Sequence, residues 1–128
     1  MAITGISHVA LTVTDLDRSA AWYAQVLGWT EINRGRDATD VAVGLLPGGL
    51  LIVLRRHDIT RAESFEESRP GLDHLSFQVA STDDLSQLTK TLTDVGATFT
   101  PAQEFEYGWI LPFRDPDNIA LEAQLPNY

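Results

Sequence analysis

The sequence predicts an α+β chain made of two tandem βαβββ modules. Two observations carry that prediction. A strand-like segment with a histidine at a fixed place occurs twice. The same order of cap, helix, glycine, turn and strand then follows each copy. Gly5-Ile6-Ser7-His8-Val9-Ala10-Leu11-Thr12-Val13 lies over Gly71-Leu72-Asp73-His74-Leu75-Ser76-Phe77-Gln78-Val79. Gly, His and Val coincide, and the apolar positions between them are kept. Fixed-period self-similarity of this kind marks a repeated structural unit.

Each element has its own warrant. After each segment comes an acidic, hydroxyl-bearing turn, Thr14-Asp15 or Ser81-Thr82-Asp83-Asp84. Such side chains cap helices because their oxygens accept from free backbone N–H groups. Leu16, Ala20, Tyr23 and Leu27 then recur at helical spacing, as do Leu85, Leu88, Leu92 and Val95. Gly28 and Gly96 can take the left-handed conformation that ends a helix. Short extended stretches follow near 29–33 and 98–100, and strands at 40–46 and 108–114. The turns Pro47-Gly48-Gly49 and Pro116-Asp117-Asn118 launch the final strands. Residues 1–128 thus form one domain, with module one at about 4–57, a connector at about 58–70 and module two at about 71–126. The connector carries Arg61, Glu63, Glu66, Glu67 and Arg69 and reads as exposed.

Composition bounds the function. The 128 residues suffice to bury a real core. Nine Lys+Arg against eighteen Asp+Glu leave a net charge of −9. That argues against nucleic acid, whose phosphates need clustered cations, and against a polybasic membrane contact. The chain has no cysteine, which excludes disulfides, thiolate ligands and cysteine nucleophiles. The N-terminal stretch reads as a first strand, not a signal peptide. No run approaches the ~20 apolar residues of a membrane span. The expectation is a soluble, cytoplasmic protein acting on a small molecule.

Strand parity points at a site. Side chains alternate across a strand. His8, Ala10 and Thr12 therefore share one face, opposite Val9, Leu11 and Val13. His74, Ser76 and Gln78 oppose Leu75, Phe77 and Val79. In the last strand Glu122 shares a face with Ala120 and Gln124, and the same parity sets Leu51, Val53 and Arg55 together in the first module. A lone carboxylate within the apolar run IALEAQL is costly to bury unless it is paired or holds a metal. His8, His74 and Glu122 can hold a divalent ion, leaving positions open to water or substrate. Taken singly, a strand histidine is more often structural, and Glu122 on a solvated edge needs no partner. Their matched placement favours the site. Thr12, Ser76 and Gln78 can orient ligands or substrate. Arg55 can bind an anionic group or simply solvate a strand end. Tyr107 and Trp109 can wall a pocket or pack the sheet. Trp22 and Tyr23 read as packing, and His57 as a surface residue.

These motifs resemble the vicinal oxygen chelate superfamily, which includes glyoxalase I, extradiol dioxygenases, fosfomycin-resistance proteins, methylmalonyl-CoA epimerases and bleomycin-resistance proteins. The run from His8 through Trp22-Tyr23 to Leu27-Gly28-Trp29 is similar to its first-module signature. Gly71-Leu72-Asp73-His74 resembles the opening of the second module. Arg114-Asp115-Pro116-Asp117-Asn118-Ile119-Ala120-Leu121-Glu122 resembles its closing DPDG…E motif, with Asn118 in place of glycine. The resemblance implies a glyoxalase-like fold with an open, barrel-like cleft around a divalent metal (Fe, Mn, Ni or Zn). It implies His8, His74 and Glu122 as ligands, and a homodimer whose site lies within one chain or across two. Metal chelation by neighbouring substrate oxygens is the implied chemistry, of lyase, isomerase or dioxygenase type.

Departures narrow the choice. Val53 stands where glyoxalase I carries a fourth ligand, a glutamate. Pro112 stands where extradiol dioxygenases carry a tyrosine, and no histidine lies between Gly96 and Glu122. Ala10 stands where fosfomycin-resistance enzymes place a threonine. The competing reading is a metal-free, bleomycin-resistance-like binder with an aromatic wall of Tyr107, Trp109 and Phe113. Such binders generally lose the metal ligands, and this chain keeps three.

Overall fold

A computed structural model describes residues 1–59 and 64–128. Arg61 and Glu63 of the connector lie outside the described residues. The chain divides into two compact units, Met1–Ala62 and Glu63–Tyr128. Each contains one helix and a four-stranded mixed sheet, giving an α+β fold of βαβββ modules.

The first unit runs β1 (His8–Thr12), α1 (Leu16–Leu27), β2 (Thr30–Arg36), β3 (Asp40–Leu45) and β4 (Leu51–Arg56). Its strand order is β1-β4-β3-β2, with β1 parallel to β4. Asp15 caps α1 by accepting from the Arg18 N–H at 3.0 Å, a cap worth about 1 kcal/mol. Gly28 ends the helix in the left-handed region at φ 68°. Leu16, Ala20, Tyr23 and Val26 are buried, and the helix packs mainly on β4 and β3. Val26 takes the buried place expected of Leu27, which is half-buried. Val26 and Leu27 stand three and four residues after Tyr23, both permitted on one helix face, and helical spacing alone does not choose. Register sets Val9 beside Ile52 and Leu11 beside Leu54 on the helix-facing side.

The second unit repeats the order with β5 (Leu75–Gln78), α2 (Thr82–Asp94), β6 (Gln103–Phe105), β7 (Gly108–Arg114) and β8 (Ala120–Pro126). Its strand order is β5-β8-β7-β6, with β5 parallel to β8. Ser81 caps α2 by accepting from the Asp84 N–H at 3.1 Å. Leu85 and Leu92 are buried, while Leu88 and Val95 are half-buried. The expected extended stretch near 98–100 is a single bridge, Phe99 to Phe113, and the strand proper begins at Gln103. Pro101 separates the two, having no N–H to donate.

The connector segment that is described is not wholly exposed. Phe65 and Glu67 are half-buried. The Phe65 N–H donates to the Asp117 carbonyl, and Asn118 Nδ2 donates to the Phe65 carbonyl. This ties the segment to the turn between β7 and β8. In that turn Asn118 is left-handed, at φ 66°. Asp115 is buried and accepts from the N–H groups of Asp117 and Ile119.

Candidate metal centre

The two repeats agree in register as well as in order. Ala10 pairs with Val53 across β1 and β4, and Ser76 pairs with Glu122 across β5 and β8. Val53 thus stands where the second unit has Glu122, and it is buried and cannot bind a metal. His8, Ala10 and Thr12 share a face with Leu51, Val53 and Arg55, as parity predicts.

In the first unit His8 is exposed, and its Nδ1 lies 3.0 Å from Ser7 Oγ. Thr12 Oγ1 lies 3.4 Å from His57 Nε2 at the far end of the same strand face. Arg55 donates to Asp37 at 3.1 and 3.2 Å and to Thr39 Oγ1 at 2.9 Å. The Thr39 N–H and the Arg55 guanidinium hold the Asp37 carboxyl down to about 2. Arg55 is therefore engaged by the protein itself. A cavity of about 420 Å³ at the start of α1 lies on the helix side of this sheet. Its two guanidiniums are also engaged, Arg34 by Asp17 and Glu31, and Arg56 by Asp40.

In the second unit three side chains form a row. Asp73 Oδ1 lies 2.6 Å from His74 Nδ1, and His74 Nε2 lies 3.5 Å from Glu122 Oε1. The Glu122 side chain is only 18% exposed, so its charge is partly removed from water. The hydrogen bond to Asp73, with the charges of Glu122 and Asp73, raises the His74 pKa against the opposing effect of burial. An ionised carboxylate can only accept. Asp73 and Glu122 both make that demand, and a neutral ring has one proton to give: it sits on Nδ1, whose carboxylate is at 2.6 Å against 3.5 Å, and the Nε2 lone pair faces the Glu122 oxygen. Two acceptors facing each other at that range need a cation between them. A proton can serve, and so can a metal: two donors with bonds of about 2.1 Å around a tetrahedral ion stand about 3.4 Å apart. The donor set fits a divalent ion.

Next to this row, Arg114 grips Glu67 with two bonds, at 2.9 and 2.8 Å, and donates to the Asn118 carbonyl at 3.1 Å. The guanidinium and a backbone N–H hold the Glu67 carboxyl down to about 2. Register places Arg114 on the same face as Glu122.

Of the expected site residues, Ser76, Gln78 and Glu122 share one face of the second sheet, and His74, just before β5, comes within 3.5 Å of Glu122. His8, Thr12 and Arg55 share one face of the first. Among the described residues no group of three or more His, Cys, Asp or Glu side chains is placed to hold a metal ion. Trp109 pairs with Leu125 and Phe113 with Leu121, on the side opposite Glu122. Tyr107 lies in the β6–β7 turn and stacks on Phe105, with ring centroids 5.6 Å apart. The three aromatics therefore do not form one wall. Asp73, Ser7, Glu67 and Arg114 were not singled out as site residues by sequence. The repeat alignment held a signal for two of them, since a polar residue precedes the histidine in both copies.

The family model for the Glyoxalase/Bleomycin resistance protein/Dioxygenase superfamily matches residues 5–123. The chain belongs to this superfamily. A glyoxylase/bleomycin resistance protein/dioxygenase domain from Frankia sp. EAN1pec is 57% identical with a TM-score of 0.95, covering 98% of this chain and 100% of that one. Metallothiol transferase FosB of Shouchella clausii is 25% identical over 94% of this chain and 80% of its own. A FosX variant from Listeria monocytogenes, complexed with Mn(II) and 1S,2S-dihydroxypropylphosphonic acid, has a TM-score of 0.76 at 22% identity, covering 98% of this chain and 93% of that one. The FosX likeness is one of fold. No described helix of this superfamily member is long and apolar enough to cross a membrane.

Proposed function

We propose that the chain is a metal-dependent enzyme acting on a small molecule with neighbouring oxygen atoms, and that His8, His74 and Glu122 are the metal ligands. The observation that carries this reading is the Asp73–His74–Glu122 row, with Nε2 and a carboxylate facing one another at 3.5 Å. His8, with its Nδ1 already near Ser7, is the third donor. The curated relative named as a metallothiol transferase agrees with metal dependence.

The ion, one of Fe, Mn, Ni or Zn, would supply Lewis-acid or oxygen-activating chemistry when bound. The chain's own groups do the rest. His74 and Glu122 hold their donor atoms on one strand face, and Ser76, paired with Glu122, offers a hydroxyl to a substrate oxygen. Gln78 and Thr12 extend that polar lining along their strands. Arg55 would meet a substrate anion only by sharing its bonds with Asp37 and Thr39. Val53 carries no proton-transfer group, so a glyoxalase-type glutamate base is absent there.

Metal analysis of untagged, anaerobically purified protein tests this. The native chain should carry close to one ion per chain, and Glu122→Gln and His74→Ala should lose it. A native protein that is metal-free and takes up none of the four ions would end the reading.

A further inference from the structure

We propose that Asp73 is a positioning residue that fixes the tautomer of His74, whereas Ser7 leaves the tautomer of His8 open. The tautomer assignment stands on geometry alone; its consequence for metal binding rests on the function proposed above.

The repeat alignment places Ser7 over Asp73 and His8 over His74. Each histidine has its Nδ1 beside the side chain of the residue before it, at 3.0 Å in the first unit and 2.6 Å in the second. The two partners differ in kind. A carboxylate accepts only, so Asp73 requires a proton on His74 Nδ1. Glu122 makes the same demand on Nε2, but from 3.5 Å against 2.6 Å, so the single proton of the neutral ring goes to Nδ1 and leaves Nε2 as a lone pair toward Glu122. A hydroxyl both donates and accepts, so Ser7 satisfies either tautomer of His8. His74 is thus ready to ligate before any ion arrives, and His8 must settle its proton on binding. A carboxylate behind a ligating imidazole also makes it a stronger donor.

The test uses the full chain, metal-free and labelled with ¹⁵N-histidine, at a pH well above the ordinary imidazole range. Two-bond ¹H–¹⁵N correlations report which ring nitrogen holds the proton, and His74→Ala identifies the His74 signals. Native His74 should show the Nδ1–H form. Asp73→Ala should lose that form, and Asp73→Asn, whose amide oxygen can still accept, should keep it. Ser7→Ala should leave the His74 signals in place. A native Nε2–H form, or an Asp73→Ala variant with the native pattern, would overturn the assignment. Titration with Co(II) alone reads the consequence: Asp73→Ala should weaken binding about tenfold to a hundredfold, and Ser7→Ala much less. If native protein shows the expected tautomer but binds no Co(II), the metal reading fails while the assignment of Asp73 stands.

Discussion

At the scale of single residues, the sequence discloses donor type and strand parity, not reach. The strand parity around His8, His74 and Glu122 was legible because alternation alone sets it. Asp73 and Glu67 were not, because their roles depend on where an exposed side chain turns. Ser19 shows the same gap from the other side. It sits in α1, fully buried, and its Oγ has no hydrogen-bond partner. A buried hydroxyl left unpaired costs about 1–3 kcal/mol. Ser19→Ala should therefore raise the melting temperature, by the equivalent of about 1 kcal/mol. A drop in thermal or urea stability would show that the hydroxyl has a role the fold conceals.

At the scale of elements, close approaches decide where glycine is required. A Cβ on Gly44 would meet the Trp29 ring at 2.2 Å, and that ring is buried and held by Nε1 donating to the Ile52 carbonyl at 3.1 Å. Gly44→Ala should cost about 1–3 kcal/mol through overpacking, with a changed tryptophan fluorescence spectrum. Gly108 is stricter. Its φ is +132°, and a Cβ there would stand 2.2 Å from the Leu125 carbonyl oxygen, which is backbone and cannot rotate away. Gly108→Ala should lower the urea midpoint further than Gly44→Ala does. Neither packing requirement was legible in the sequence, since each involves an element distant in the chain. The helices, by contrast, were legible to within a residue from caps and spacing. β6 was displaced because Pro101 interrupts the ladder after Phe99, a break that local extended character does not reveal.

At the scale of the whole molecule, the duplication was the most legible feature, because two copies of one order constrain each other. The registers of β1 on β4 and β5 on β8 repeat it in three dimensions. What the repeat hid was the connector. It reads as polar and exposed, yet Glu67 is gripped by Arg114 and the segment is tied to the β7–β8 turn. This has a pH consequence. Glu67 is held down to about 2 from an ordinary 4.5. A depressed carboxyl contributes stability above its unfolded-state pKa and loses it as pH falls through its folded value. Urea midpoints should thus fall between about pH 4.5 and 2, and Glu67→Gln should make that fall shallower. An identical slope in the variant would show that the grip contributes nothing. Asp37, held low by Thr39 and Arg55, adds to the fall in the same window.

The valine that pairs with Ala10 has an electrical consequence. Two neutral imidazoles and one carboxylate cannot neutralise a dication; one unit of positive charge is left over. A second glutamate at Val53 would have cancelled it. With valine there, the proposed ligand set selects for a partner that brings one negative charge of its own, such as a deprotonated hydroxyl or a single carboxylate oxygen, and disfavours neutral molecules of the same shape.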